Sequence, residues 1–383
     1  MKIVYISNTP LPSRAASGFQ IMKMCQAFQE MGHDVKLLAP RIDGRPVNGF
    51  DYKRHYGTNR ILDLRHIRTR HLFHRHDYCL ISAICAKAHR ADLVYSRNLG
   101  SAVWCSALGL STIFEAHGLP DSKVKKFYFK ILMKFAALKR VVVISEALRE
   151  LFLEIYGGRL NENMMLVAPD GVDMERFRNL PPPTQARHKI GLDKDKALVG
   201  YAGHLYKGRG IRLILRLAQQ LPHVQFLAVG GDDRSISDYT DMAASQGLNN
   251  IRFAGFVINS ELPLYLAACD VLLMPYQRQV KVSGGEDTSA WMSPMKMFEY
   301  MATGRVIISS DLPVLREVLN EGNSILCDPG DLNAWKRNIK GVLDDRSLQK
   351  RLGDQARRDA EQYSWMKRAK YVLSGLESGN DSI

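Results

Sequence analysis

Two doubly wound α/β domains in tandem are the architecture this sequence predicts, and three observations carry that prediction. The 383 residues, 46% of them hydrophobic, exceed what one ordinary core buries, so two domains are expected. In both halves, short aliphatic runs alternate with stretches of helical period, the pattern of a parallel sheet covered by helices. Between the halves, Leu180-Pro181-Pro182-Pro183 suits neither regular helix nor an inner strand and reads as a linker. The expected boundaries are residues 1–178 for the first domain, completed by a helix at about 364–383, then 179–190 for the linker and 191–363 for the second domain.

In the first half, a strand at 3–7, a helix at 17–31 closed by Gly32, and a strand at 34–39 form a βαβ unit. Gly18, in the loop entering that helix, has no side chain and lets backbone approach a ligand at a helix N-terminus. No GxGxxG follows the first strand, so a dinucleotide fingerprint is absent. Asp92–Tyr95 and Thr112–Glu115 read as strands opening into Ser96-Arg97-Asn98 and His117-Gly118. By its own pattern His117 is a packed histidine or a ligand-facing one. Val141–Ile144 is a further strand, Ser145-Glu146 starts a helix, and Leu166–Pro169 leads into Asp170-Gly171-Val172-Asp173.

The charge is unevenly placed. The net formal charge is +14 and the pI about 9.5, which points to a polyanionic partner. One basic segment, Arg41 to Asp77, also holds His55, His66, His71, His74 and His76. No HExxH or paired-acid spacing accompanies these histidines, so a solvated basic surface is expected in preference to a metal cluster. The second segment, Lys123–Arg140, has helical period: Val124, Phe127, Tyr128, Ile131, Leu132, Phe135 and Leu138 make one apolar stripe, with Lys126, Lys130 and Lys134 elsewhere. It reads as a core-packed helix with a lysine face, or as a basic amphipathic helix on an anionic membrane. The 6 cysteines lack CxxC spacing, which argues for a reducing compartment and against a zinc site. The N-terminal apolar run is too short for a secretory signal and no run suits a spanning helix, so a cytoplasmic protein is expected, with attachment to the inner face of the membrane as the companion expectation.

The second half restarts the alternation. Leu198–Ala202, Gln225–Val229, Ile251–Ala254, Val271–Met274 and Val306–Ile308 are strands, each ending in Gly, Pro or polar residues. Ligands of open parallel sheets bind at such carboxyl ends. Gly203-His204-Leu205-Tyr206-Lys207-Gly208-Arg209-Gly210 brings cationic side chains into a Gly-rich turn before the helix Ile211–Gln220. Backbone N–H groups, a helix N-terminus and fixed cations are what a diphosphate requires, and no GK[ST] marks this as a Walker loop. A plain surface turn has the same look. In Ser293–Glu317, Pro294 signals a helix start, Gly304 its end, and Lys296 and Glu299 lie off the apolar face. Glu299 suits paired ribose hydroxyls, or simply a helix start that favours acids.

In order and spacing, the Gly18 loop, FEAHG around His117, VVVISEALRE, VAPDGVDMERF, YAGHLYKGRG, FAGFVINSELPLYLAACDVLLMPY, SPMKMFEYMATG and ILCDPGD resemble the family 4 retaining glycosyltransferases. That resemblance spans nearly the whole chain. It implies the GT-B architecture of two Rossmann-like domains facing a central cleft, and transfer of a sugar from a nucleotide-diphosphate donor, UDP- or GDP-linked, to a glycan or polyprenyl-linked acceptor of surface polysaccharide synthesis. The family's GRLxxxKG loop falls on Gly203 to Gly210, with His204 and Arg209 on the diphosphate. Glu299 matches the second Glu of the E-x7-E pattern, on the ribose, but Trp291 stands at the first, so Glu286, Asp287 or backbone near Ser293 is left to meet the donor sugar. His117 matches the histidine near the transferred sugar, which reverses its bland reading. Arg209, His117 and Glu299 are thus the expected catalytic residues, with Gly18, Gly203, His204, Gly230, Phe256, Val257, Ser293 and Lys296 completing the donor site. Phe256 and Val257 border the base, and Trp365 begins the C-terminal helix that returns to the first domain. No DxD-like motif is present, so cations rather than a metal are expected to neutralise the leaving diphosphate. A nucleotide-sugar epimerase is the alternative within the fold. Nucleic acid is not an expected partner, since no aromatic platform or reading motif accompanies the charge.

Overall fold

The computed structural model describes residues 1–41, 49–60, 62–68, 76–158, 160–281 and 285–376. Arg45, Arg70, His71, His74 and Arg75 of the basic segment lie outside them. The chain divides into two compact units, Met1–Asp170 with the chain from Trp365, and Gly171–Ser364.

In the first unit, β1 (Lys2–Ile6), α1 (Ala16–Glu30), β2 (Asp34–Pro40), α2 (Tyr52–Tyr56), β3 (Asp63–Ile67), α3 (His76–Ala88), β4 (Leu93–Ser96), α4 (Leu99–Ala107), β5 (Thr112–Ala116), α5 (Lys123–Leu132), β6 (Leu138–Val143), α6 (Glu146–Tyr156) and β7 (Met165–Val167) follow in turn. The strands form one parallel sheet in the order β3-β2-β1-β4-β5-β6-β7. The order reverses between β1 and β4, the place where open α/β sheets leave a crevice at their carboxyl ends. Val4, Ile6, Leu38, Val94 and Tyr78 pack into the core on one side of it.

The second unit repeats the plan with α7 (Pro183–Lys189), β8 (Leu198–Ala202), α8 (Ile211–Gln220), β9 (Gln225–Val229), α9 (Asp233–Ser245), β10 (Ile251–Gly255), α10 (Leu262–Ala267), β11 (Val271–Met274), α11 (Met295–Thr303), β12 (Val306–Ser310), β13 (Ile325–Cys327), α12 (Leu332–Asp344) and α13 (Arg346–Ala360). Its parallel sheet runs β10-β9-β8-β11-β12-β13, again reversing at one place, between β8 and β11. Trp335 of α12 is wholly buried among Leu213, Leu217, Leu273 and Ile308.

Three expectations are corrected. The division falls at Gly171 rather than after residue 178, because Val172 bridges Ser364 and Phe177 is buried. The 179–190 stretch is not a loose linker: Pro183 occupies the first position of α7, where its missing N–H costs nothing, and Arg187 is buried on Asp270 at 2.5 Å and on the Ala268 carbonyl at 2.9 Å. The helix expected over Lys123–Arg140 ends at Leu132, and Leu138 already belongs to β6, where it pairs with Thr112. Phe135 and Leu138 continue the helical period by coincidence, and no Gly or Pro marks the break.

The last helix, α14 (Trp365–Leu373), packs on α1. Its anchor is Arg368, whose Nη2 and Nη1 lie 3.1 and 3.3 Å from the two oxygens of Glu115 at the end of β5, while Nε and Nη2 reach the carbonyls of Pro169 and Ala168. Glu115 also accepts from Gln20 at 2.6 Å and from the Tyr95 hydroxyl. Burial alone would push this carboxyl up, but Arg368 and then His117 outweigh it and hold the group well below the ordinary range. Both partners are almost fully buried, so removing one leaves an uncompensated charge. Arg368→Met is expected to lower unfolding free energy by about 3–5 kcal/mol in urea titrations. Because the folded carboxyl is depressed, its contribution is present above the unfolded value of about 4.3 and fades as pH falls towards the folded value. Glu115→Gln should therefore flatten the acid side of the stability curve, which thermal melts from pH 5 downwards will show.

Candidate functional site

The carboxyl ends of the second sheet converge on two basic side chains, Lys296 and Arg209, each with a buried nitrogen. Beyond β8 the chain enters Gly203–Gly210. Gly203 sits at φ +137°, and a Cβ there would come within 2.7 Å of the Lys296 amine, so this contact requires glycine. Gly210, at φ +85°, precedes α8 where a Cβ would strike the Pro275 carbonyl at 1.9 Å. These two glycines press the basic turn against the end of β11.

Lys296 is the second residue of α11, whose place is fixed by Tyr300, the hydroxyl of which receives the Ala202 amide at 2.6 Å. Its Nζ stands 3.8 Å from the centre of the Tyr201 ring and 5.2 Å from that of Tyr276. That nitrogen is buried and makes no hydrogen bond among the described residues. Burial, and next the charge of Arg209, push its pKa well below the ordinary lysine value, with Glu299 opposing. Arg209 lies over the other side of the cluster: its guanidinium carbon is 5.2 Å from the Tyr276 ring and Nη1 donates to the Tyr276 hydroxyl at 3.0 Å. Its buried Nε also has no hydrogen-bond partner among the described residues. Two desolvated cations on one tyrosine, with N–H groups unused, form a site that an anion would complete.

His204 stacks on Tyr206 with ring centres 4.8 Å apart. Burial, then Arg209 and Lys296, push its pKa down to about 4. The turn thus holds a neutral imidazole at pH 7, and the cation beside Arg209 is Lys296 from α11. Lys296 was expected in the same donor site, as a lysine just inside a helix start at a sheet's carboxyl edge; what spacing did not show is that it meets Arg209 on one tyrosine.

Glu299 falls in the middle of α11, not near its start, and is one turn beyond the cations. Its carboxylate lies 4.0 Å from Nη1 of Arg176, a residue with no role expected from its sequence context, held by the Asn259 carbonyl. Gly230 follows β9 at φ +107° and donates to the Gly255 carbonyl at 2.7 Å, which sets Phe256 and Val257, both half-buried, beside the same sheet edge. Ser293 is buried just before α11. Asp287, a candidate for the sugar carboxylate, accepts from the amides of Val280 and Ser289 at 2.9 and 3.0 Å and so braces its own loop. Glu286 is exposed, and Trp291 is half-buried and donates its amide to Thr288.

Gly18 and His117 belong to the first unit. Gly18 is buried within α1; its amide donates to the Ala15 carbonyl, and its Cα faces the Tyr56 hydroxyl and Leu11, a close packing that asks for glycine by itself. His117 follows β5, and its Nε2 lies 2.5 Å from Glu115. Burial and then Arg97 lower its pKa, so the ring is neutral and donates that bond. Glu115, His117 and Asp170 hold donor atoms within 4.8 Å of one another, the one such grouping among the described residues. The chemistry does not suit a cation: Gln20, Tyr95, His117 and Arg368 already use the Glu115 oxygens. Of the basic-segment histidines described, His55, His66 and His76 bond separately to Ser13, Tyr52 and Tyr128.

The sequence matches the family Glycosyltransferase Family 4 over residues 18–176 and the family Glycosyl transferases group 1 over residues 184–359. An uncharacterised glycosyltransferase of Methanocaldococcus jannaschii is 24% identical over 65% of this chain and 61% of its own. A D-inositol 3-phosphate glycosyltransferase of Stackebrandtia nassauensis is 24% identical over 72% of this chain and 65% of its own. The chain therefore spans less than two thirds of the length of these curated relatives. In structure it is similar to Anabaena Alr3699/HepE solved with UDP-glucose, at TM-score 0.76 and 16% identity over 99% of this chain and 100% of that one. With both halves matched in sequence order and both folded as doubly wound parallel sheets, the chain belongs to the family 4 glycosyltransferases of GT-B fold.

Proposed function

We propose that this protein transfers a sugar from a nucleotide-diphosphate donor to a glycan or polyprenyl-linked acceptor in surface polysaccharide synthesis, with retention at the anomeric carbon and without a divalent metal. The observation that carries the reading is the pair Lys296 and Arg209 at the carboxyl ends of β8 and β11, whose buried Nζ and Nε have no hydrogen-bond acceptor among the described residues. A diphosphate brings the negative charge and oxygens that such a pair lacks. As the bond from the anomeric carbon to the diphosphate oxygen breaks, charge grows on that oxygen, and fixed cations already desolvated stabilise it without reorganising. That supply of charge is the reason a metal is not required in this reading. Neutral His204 serves the diphosphate as a hydrogen-bond donor, Glu299 the ribose hydroxyls, Phe256 and Val257 the base, with Gly203, Gly230 and Ser293 bringing backbone close. Retention follows the family resemblance: the acceptor oxygen bonds to the anomeric carbon on the face the diphosphate leaves, and its proton passes to the departing phosphate oxygen. His117 is assigned to the transferred sugar as a neutral hydrogen-bonding ring, and Gly18 to the entry of α1 beside it.

The Anabaena neighbour was solved with UDP-glucose, which makes a UDP-sugar the first donor to test, with GDP-sugars next. A lipid-held acceptor accords with the exposed lysines of α5, part of the Lys123–Arg140 segment, and a place on the inner face of the membrane is part of the same reading.

A thermal-shift screen of UDP-, GDP- and ADP-sugars is expected to raise Tm for one base class, since ligand binding to the folded state stabilises it; no shift with any of them contradicts the assignment. Arg209→Ala and Lys296→Ala should each lower kcat about 100- to 1000-fold, the usual cost of losing one such charge-stabilising donor. Lys296→Ala should melt at or above wild type, because it removes a buried amine with no acceptor among the described residues, and Arg209→Ala, which also loses the bond to Tyr276, should still fold. Near-normal turnover in either variant argues against the diphosphate role. Turnover retained after chelation is expected on the same grounds, and its loss with recovery on adding Mg²⁺ or Mn²⁺ would contradict the metal-free mechanism.

A further inference from the structure

Six of the eight large hydrophobic side chains exposed among the described residues fall on three successive helices of the first unit: Leu80, Ile81 and Ile84 on α3, Trp104 on α4, and Val124 and Phe127 on α5. Helix α3 packs beside α4 and α4 beside α5, while the Tyr128 hydroxyl bonds Nδ1 of His76 at 3.0 Å across the start of α3. The apolar groups therefore share one outer layer. Single exposed hydrophobics are ordinary on a protein surface, but a clustered patch marks an interaction surface.

On α5 the expected core-packed stripe is divided by the fold. Phe129 and Leu132 are buried, whereas Val124 and Phe127 are 54% and 60% exposed. Phe127 and Phe129 are two residues apart, about 200° around the helix, so one faces the sheet and the other solvent. Lys123, Lys126 and Lys130 are exposed beside that outward stripe, and Lys87 is exposed on α3. Acidic groups are few: α4 and α5 have none, α3 has Asp77 in its first turn, and Asp121 before α5 is paired with Lys125 at 2.9 Å.

We propose that α3, α4 and α5 form one docking face for an anionic phospholipid bilayer, with the apolar side chains entering the interfacial zone and the lysines meeting the phosphates. Charge decides the occupant. A second copy of this chain across a two-fold axis would set the same lysines against each other, whereas an anionic bilayer pairs with them and takes up Phe127, Ile84 and Trp104. No helix among the described residues is long and apolar enough to cross a membrane, so the face lies on the surface. The proposal rests on the transferase reading in one respect: five residues, Gly118 to Ser122, join His117 at the sheet edge to the first turn of α5. A sugar acceptor carried on a lipid would thus be presented beside His117 by the membrane to which the face is docked.

The test is co-sedimentation of the full chain with vesicles of phosphatidylcholine alone and of phosphatidylcholine with phosphatidylglycerol. Binding is expected to the anionic vesicles and to weaken with salt. Ile84→Glu with Phe127→Glu should reduce it about tenfold or more. Lys123→Gln with Lys126→Gln and Lys130→Gln should reduce it about 100-fold, at about fivefold for each lysine near the surface. Absence of binding to anionic vesicles, equal binding to both kinds, or unchanged binding by the variants overturns the proposal. So does light scattering that shows a wild-type dimer split by Ile84→Glu with Phe127→Glu, which would give the face to a second copy. All altered side chains are exposed, and an unchanged melting temperature confirms that the variants fold. A UDP-sugar thermal shift on the same preparations separates the two readings: its absence in wild type counts against the transferase alone, while vesicle binding decides the face.

Discussion

Lys296 carries an amine that the fold has taken out of water and placed over the Tyr201 ring, with no acceptor for it among the described residues. Such a placement costs free energy, and the rest of the second unit is arranged so that it persists. Tyr300 ties α11 to the end of β8, Gly203 leaves room for the amine, and Gly210 turns the basic loop so that Arg209 reaches the Tyr276 hydroxyl. The aromatic faces of Tyr201 and Tyr276 offset part of the lost hydration. What they do not supply is hydrogen-bond acceptors and full negative charge, and this deficit is the physical form of an anion site.

The first unit follows the opposite rule. The Glu115 carboxylate is buried like the amine nitrogen of Lys296, yet it receives hydrogen bonds from Gln20, Tyr95, His117 and Arg368. Arg368 arrives from the far end of the sequence, so this carboxylate joins the last helix to β5 and also orients His117. A satisfied buried charge stabilises a structure; an unsatisfied one prepares a site. The contrast between Glu115 and Lys296 separates the two uses within one chain.

Much of this was legible in the sequence. The strands Leu198–Ala202, Gln225–Val229 and Val271–Met274 and the helix Ile211–Gln220 have the expected bounds, because apolar runs ending in Gly or Pro and a helix following a Gly-rich turn are strong local signals. Where local signals were absent, boundaries slipped: nothing in Met133–Ala137 breaks the helical period, so α5 appeared to run on into β6. The triple proline hid α7, since the rule against proline within helices does not apply at its first position. The exposure of Val124 and Phe127 was not readable either, for a period of 3.6 shows that a stripe exists but not which side the sheet takes. Lys296 stood in view as a lysine near a helix start, but its meeting with Arg209 depends on Tyr201, Gly203 and Gly210 of one stretch and on Tyr276 of another. The neutrality of His204, due to burial first and to the charges of Arg209 and Lys296 next, is equally invisible in the sequence alone.

The central claim is that Lys296 awaits a diphosphate, and the proton balance of binding tests it directly. Calorimetric titration with UDP in buffers of different ionisation enthalpy, at a series of pH values above 7, measures protons taken up or released. An amine whose pKa burial has depressed gains protons when a diphosphate arrives beside it, so net uptake is predicted at alkaline pH, abolished by Lys296→Met with weakened binding. Binding of UDP with no proton uptake, at an affinity that Lys296→Met leaves unchanged, would contradict it.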